Sequence, residues 1–309
     1  MKTLIIGAKG MLGQELAKAF TEFNPTVWDV SDIDITDQSQ VNEKMSMLAP
    51  ELIINAAAYT NVDACEENEE LATKVNGTAV GYLARVASNL GATLVHYSTD
   101  YVFDGTQQEG YTELDTPHPI NAYGRSKLAG EQDILSLRGS EQYPANDRSN
   151  LNDENRPFGD DKVASLASTP PRNDRWYIIR TAWLYGHAGK NFVETMLSMA
   201  QAGEPLKVVD DQIGSPTYAP DLAQATFDLV KSGKPAGIYH RTNSETISWY
   251  GFAKEIFEVY GKDVDLVPCA TMEYPRPAKR PTFSTLVSTK LPSLRSWQEA
   301  LREYASFHH

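Results

Sequence analysis

The first thirteen residues constrain the fold more than any later stretch. Thr3 to Ile6 is a short apolar run, and Gly7, Gly10 and Gly13 then punctuate what becomes a helix. Gly7 would allow a tight turn out of a strand, Gly10 would let backbone N–H groups approach a pyrophosphate, and Gly13 would let the helix lie close on the sheet. The helix is amphipathic through Leu12, Leu16, Ala19 and Phe20. Its N-terminus offers free N–H donors and partial positive charge to an anion. The next strand, TVWDV, carries Asp29 near its end, roughly 20 residues on, where a ribose-binding carboxylate is expected. Together these features predict dinucleotide binding on a Rossmann-type sheet.

Strands and helices go on alternating through the first half, which predicts an α/β, doubly wound parallel sheet. After Asp34-Ile35-Thr36-Asp37, with Thr36 or Asp37 as N-cap, a helix is expected to about Met47. ELIINAAA, residues 51–58, reads as a strand buried on both faces, with small residues at its carboxyl end where a ligand needs close approach. A long helix follows from Glu69 to Leu90, closed by Gly91. The next strand, ATLVHYSTD, ends in Ser98, Thr99 and Asp100. Ligands bind beyond the carboxyl ends of parallel strands, so these three are placed to touch a substrate. In NAYGRSKLAGE, Tyr123 and Lys127 are four apart and share one helical face. An ammonium beside a phenol favours the phenolate and lowers a tyrosine pKa from about 10, giving an acid/base usable at neutral pH.

Residues 139–175 break the pattern. They are polar and rich in Pro, Asn, Asp and Ser, and read as a flexible surface insertion. The chain thus divides into a NAD(P)-binding Rossmann region, 1–138, the insertion, and 176–309. The last region holds the remaining Rossmann elements and a smaller, discontinuous substrate-binding lobe. Strands are expected at 176–182, 206–209 and 237–242. Helices are expected at 191–202, from Asp221 as cap to Lys231, from Ser248 to about Tyr260, and around 296–307. The cleft between the lobes is the expected substrate site. Arg276, Lys279 and Arg280 form the main basic cluster, either as solvated surface or as a diphosphate-binding group.

A net charge of −13 lacks the basic footprint that nucleic acid or an anionic membrane requires. Cys65 and Cys269 are too few for a disulfide scaffold and have no metal-ligand spacing. No apolar run reaches membrane-spanning length and the N-terminus enters a strand at once, which predicts a cytoplasmic protein without a signal peptide.

GAKGMLG, NAAAYTNVDACE, STDYVFDG, NAYGRSKLAGE, RTAWLYG, NFVETML, VVDDQIGSPTYAPDLA and RPAKRPTFSTL together resemble the extended short-chain dehydrogenase/reductases over nearly the whole chain. Within that group the likeness is to the dTDP-4-dehydrorhamnose reductases. The insertion before WYIIRTAW departs from that pattern. The resemblance implies reduction of the C4 ketone of a dTDP-sugar with NADPH or NADH, on the way to rhamnose-containing cell-surface polysaccharide, with Mg2+ as a further candidate ion and a monomer or homodimer as the assembly. It makes Thr99, Tyr123 and Lys127 catalytic. It sets Gly7, Gly10, Met11, Leu12, Gly13, Asp29, Asp34, Ile35, Ala56, Ala57, Ala58 and Tyr59, with Tyr123 and Lys127, against the cofactor. It sets Asp100, Tyr101, Trp183 and Asn191 against the substrate. A carboxylate at Asp29 favours NADH, whereas Lys9 could help a 2′-phosphate. Other sugar-nucleotide reductases or epimerases, and a non-catalytic regulatory subunit of methionine adenosyltransferase, share the same resemblance. The related dehydratases carry an acid where this chain has Tyr101, which favours simple reduction over dehydration.

Overall fold

The computed structural model describes residues 1–137, 175–201, 203 and 205–307, so the 139–175 insertion lies outside the described residues except for Arg175. Thr3–Ile6 forms strand β1, and the glycine-punctuated stretch becomes helix α1, Met11–Ala19. β2 (Thr26–Trp28), α2 (Gln38–Leu48) and β3 (Leu52–Asn55) follow. Asp37 caps α2, its carboxylate accepting from the N–H groups of Ser39 and Gln40. Helices α3 (Val62–Glu67) and α4 (Glu69–Thr73) lead through a π-helical turn, Lys74–Thr78, into α5, Ala79–Leu90. The helix expected as one piece from Glu69 to Leu90 is therefore widened in its middle. It ends at Gly91, whose φ of 67° is the left-handed conformation glycine adopts freely. β4 (Thr93–Thr99), a 3-10 turn at Asp100–Val102 and α6 (Ala122–Ser136) complete the first half.

The second half holds β5 (Trp176–Thr181), β6 (Leu184–Tyr185), α7 (Phe192–Ala200), β7 (Leu206–Val209), β8 (Ile213–Gly214) and β9 (Thr217–Tyr218). After these come α8 (Ala219–Ser232), β10 (Gly237–His240), β11 (Ile247–Ser248), α9 (Trp249–Val259), β12 (Leu266–Cys269) and α10 (Trp297–Ser306). Asp221 does not cap α8 as its sequence position suggested. Tyr218 precedes the first turn, proline opens it, and the Asp221 carboxylate pairs with Arg295 Nη2 at 2.7 Å.

Six strands make one sheet in the order β10-β5-β4-β3-β1-β2, every pairing parallel. The winding reverses between β1 and β3, and in such sheets the crevice beyond that reversal receives the ligand. Alternate residues face opposite sides. Leu4, Ile6, Ile53, Leu94, Ile178 and Ile238 pack with residues of α2, α5 and α6. Ile5, Ile54, Val95, Ile179 and Tyr239 pack with α1 and α8 through Leu12, Leu16, Leu222 and Leu229. Burying each such side chain stabilises by about 1.5–3 kcal/mol, so the two-faced sheet dominates the core. A third core joins α7, α9 and α10 through Val193, Met196, Phe252, Ile256, Trp297 and Tyr304. Its residues flank α8 and β10 in sequence, so this smaller lobe is discontinuous. Among the described residues no helix is long and apolar enough to cross a membrane.

Candidate active site

The crevice is floored by the ends of β1 and β3. Gly7 has φ +79°, and a Cβ there would lie 2.6 Å from Ala57 N. At Gly13 a Cβ would lie 2.1 Å from Gly7 O. Both positions therefore exclude any side chain, and backbone meets backbone. Helix α1 starts at Gly10 with no side chain capping it, so its first-turn N–H groups have no intrahelical acceptor. Ala56, Ala57 and Ala58 are partly exposed at the carboxyl end of β3. This cradle of bare backbone and uncapped donors fits the pyrophosphate of a dinucleotide.

The other residues expected around a cofactor divide by their contacts. Asp29 accepts from Lys9 N at 2.8 Å through Oδ2 and from Val30 N at 2.8 Å through Oδ1, which fixes the carboxylate against the glycine loop. Lys9 Nζ lies 3.2 Å from Ser31 Oγ. Asp34 is exposed and folds its own turn, accepting from Thr36 N and Thr36 Oγ1. Leu12 and Ile35 are core residues, each 7 % exposed, and so offer a ligand little surface. Met11 lies close to Gly186, where a Cβ would be 3.1 Å from Met11 Cγ. Tyr59 is held at both backbone polar groups by the Asn76 amide.

Beyond β4, Thr99 Oγ1 donates to Asp100 Oδ1 at 2.8 Å and accepts from Tyr101 N at 3.2 Å. The Tyr101 and Tyr123 rings meet edge to face with centroids 5.9 Å apart. Burial is the largest influence on Asp100 and pushes its carboxyl up to about 6. Thr99 and the Ser284 hydroxyl, which sequence reasoning did not single out, pull in the opposite direction. Burial, followed by the Asp100 charge, also raises the Tyr123 phenol above its ordinary range, with Thr99 opposing. The sequence reading had Lys127 lowering that phenol. In the structure Lys127 Nζ donates to Tyr97 O at 2.6 Å and meets His96 Nε2 at 3.3 Å. The lysine's partners are thus on β4, and burial pushes Lys127 down to about 8.

Helix α6 is fixed by Glu131, which forms a bidentate pair with Arg180 at 2.9 and 2.6 Å, both side chains fully buried. Opposite, Trp183 has φ +47°, and its indole stacks on Trp249 with centroids 3.5 Å apart and planes 6° from parallel. Gly214 makes the room, since a Cβ there would lie 2.5 Å from Trp183 Cε2. Trp249 had no local signal in the sequence. Asn191 caps α7 through Oδ1 and donates to Gly186 O through Nδ2, so both ends of its amide are engaged. Arg280 forks onto Asp63, with both contacts at 3.0 Å, and Arg276 lies 3.8 Å from the same carboxylate. Much of the basic cluster is therefore neutralised within the chain. Among the described residues no group of three His, Cys, Asp or Glu side chains could hold a metal ion, so nothing supports the Mg2+ expectation.

The family described as the RmlD substrate binding domain matches residues 1–143 and 151–308. The chain is 37 % identical to the spore coat polysaccharide biosynthesis protein SpsK of Bacillus subtilis, over 98 % of this chain and 96 % of that protein. A dTDP-4-dehydrorhamnose reductase structure from Clostridium acetobutylicum superposes with TM-score 0.84 and 39 % identity, covering 100 % of this chain and 99 % of that one. The dTDP-4-dehydrorhamnose reductase of Bacillus anthracis, solved in complex with NADP, superposes with TM-score 0.85 at 34 % identity, covering 99 % of this chain and 100 % of that one.

Proposed function

We propose, from the premise that this chain belongs to the RmlD substrate binding domain family, that it reduces the C4 ketone of dTDP-4-dehydro-L-rhamnose with NADPH or NADH. The observation that carries this reading is the meeting of Thr99, Asp100 and Tyr123, with Lys127 one turn along the same helix and linked through His96 and Asn55 to Ala57 of the Gly7–Ala57 cradle. The first-turn N–H groups of α1 would hold the pyrophosphate, and Asp29 with Lys9 would border the adenosine ribose. A bound nicotinamide supplies the hydride. The residues supply the proton: burial and Asp100 keep Tyr123 protonated, which is the state a donor to a developing alkoxide requires. Thr99 orients the oxygen it meets. Trp183, braced by Trp249, offers a flat face to the sugar.

The assay follows NADH and NADPH absorbance while dTDP-4-dehydro-L-rhamnose is generated by its epimerase. The expected result is oxidation that requires the sugar with either cofactor. Tyr123→Phe is expected to lower turnover by about 10²–10⁴-fold, the usual worth of a positioned acid, while cofactor affinity stays within a few-fold. Cofactor binding with no oxidation would overturn the reductase reading, and a stable complex with a methionine adenosyltransferase would replace it with a regulatory one.

A further inference from the structure

Lys127 is 2 % exposed and ends in a polar chain of equally buried groups that the reading above does not use. Asn55 and His96 are register partners on β3 and β4, and both lie among apolar neighbours at 1 % and 0 % exposure. Ala57 N donates to Asn55 Oδ1 at 3.2 Å. That contact fixes the orientation of the amide, because turning it over would set an NH2 against an N–H. Asn55 Nδ2 then faces His96 Nδ1 at 3.1 Å and donates to it. A neutral imidazole whose Nδ1 accepts carries its proton on Nε2. His96 Nε2 meets Lys127 Nζ at 3.3 Å, so in this arrangement the ring donates and the amine accepts. Lys127 in turn donates to Tyr97 O. One protonation pattern satisfies all four contacts, and in it Lys127 is an amine.

We propose that His96, oriented by Asn55, is a positioning residue that holds Lys127 on the Tyr97 carbonyl and disfavours its ammonium form, so that the lysine changes protonation state within the working pH range of the reductase. The proposal rests on the function given above. When Lys127 takes a proton from water, Nζ must become the donor to His96. The imidazole proton must then move to Nδ1, and Asn55 must turn Oδ1 towards it, releasing Ala57 N–H. Each ammonium is therefore formed against the loss of the part-buried hydrogen bond from Ala57 N–H to Asn55 Oδ1.

The other groups around Nζ leave this balance in place. Glu131, one turn along α6, favours the ammonium, but its charge is shared with Arg180. On β4 the Tyr97 phenol is bonded to Thr226 on the opposite face of the sheet. Tyr123, one turn back on α6, remains neutral, and Asp100 lies beyond it at the end of β4. Burial acts in the same direction as His96.

Two measurements test this. In the intact protein, 15N shifts of the histidine rings near pH 8 are expected to show His96 as the Nε2–H tautomer, the signal being assigned by its absence from His96→Gln. An Nδ1–H or doubly protonated His96 would overturn the proposal whatever the enzyme reduces. The nearly isosteric Asn55→Asp keeps an acceptor for Ala57 N–H but also accepts from His96 Nδ1–H, which makes Nε2 an acceptor. The basic limb of kcat/KM, expected near pH 8 in the unaltered chain, should then move up by at least one pH unit. An unmoved limb with turnover intact or merely scaled down would mark the residues as structural and sink the idea. If Asn55→Asp does not fold, the tautomer alone decides. Absence of sugar reduction alongside the Nε2–H tautomer would count against the assigned function and leave the network standing.

Discussion

A carboxyl group shut away from water is unstable in its ionised form, and Asp100 is such a group. It is 2 % exposed, and burial outweighs the hydroxyls of Thr99 and Ser284 that favour its ionised form. Its folded pKa is raised from 3.8 to about 6, so the native state binds the proton more tightly than the unfolded chain does. The penalty is absent below pH 3.8, grows between 3.8 and about 6, and is constant above, at about 3 kcal/mol or less. Asp100→Asn is expected to raise the melting temperature at pH 7.5, with the gain shrinking to nothing as pH falls through that window. Thermal unfolding across pH checks this, and a pH-independent difference would contradict it. The same residue shows what a sequence can disclose at this scale. Thr99 and Asp100 end one strand and Tyr123 and Lys127 share one helix, so local spacing makes them legible. Ser284, Asn55 and His96 come from separate segments whose meeting depends on the sheet. The only trace they leave is a polar letter inside an apolar run, as in ELIIN and LVHY.

At the level of elements, the π-helical turn before α5 and helix α6 approach closely. A Cβ at Gly130 would lie 2.3 Å from Asn76 O, and one at Gly77 would lie 3.0 Å from the Ala129 Cβ. The π-helical turn at Lys74–Thr78 turns Asn76 towards Tyr59 and towards Ser126 Oγ. Gly130→Ala should therefore push α6 outward, costing about 1–3 kcal/mol as overpacking usually does. A lower melting temperature and a reduced kcat are expected together, since α6 carries Tyr123 and Lys127. Wild-type values for both would show that the contact yields easily. The sequence reading located this helix from Glu69 to Leu90 but not its widened turn. A π turn uses the same residues as an α turn, so no periodicity in the sequence marks it.

Across the whole molecule, the segment after β12 straps the first half to the second. Tyr111 N donates to Thr285 O, Val287 N donates to Tyr111 O, and Gly105 is packed against Pro281 and Thr282. The Asp63–Arg280 fork closes the strap onto α3. Asp63→Ala leaves Arg280 without its carboxylate, though still bonded to Ala278 O, and is expected to cost about 1.5–3 kcal/mol. Sugar KM should rise more than kcat falls, because the strap also carries Ser284 beside Asp100. Unchanged stability would place the fork among surface pairs of little worth. The alternation of strands and helices revealed the layered architecture in advance, while the strap has only a 3-10 turn and isolated bridges and so has no periodicity to read.

The sheet has one more consequence, for the order in which the protein can be made. Helix α1, which offers its N-terminus to the crevice, rests on α8: Phe20 meets Phe227 edge to face at 5.2 Å, and Glu22 pairs with Lys231 across 209 residues of chain. The sheet itself stays unfinished until β10 joins β5. As the chain leaves the ribosome, the first strands and helices therefore emerge with one sheet face bare, and α1 waits for its cover until α8 has been synthesised. Translation delivers most of the crevice early, and only near residue 240 does it supply the strand that completes the sheet behind it.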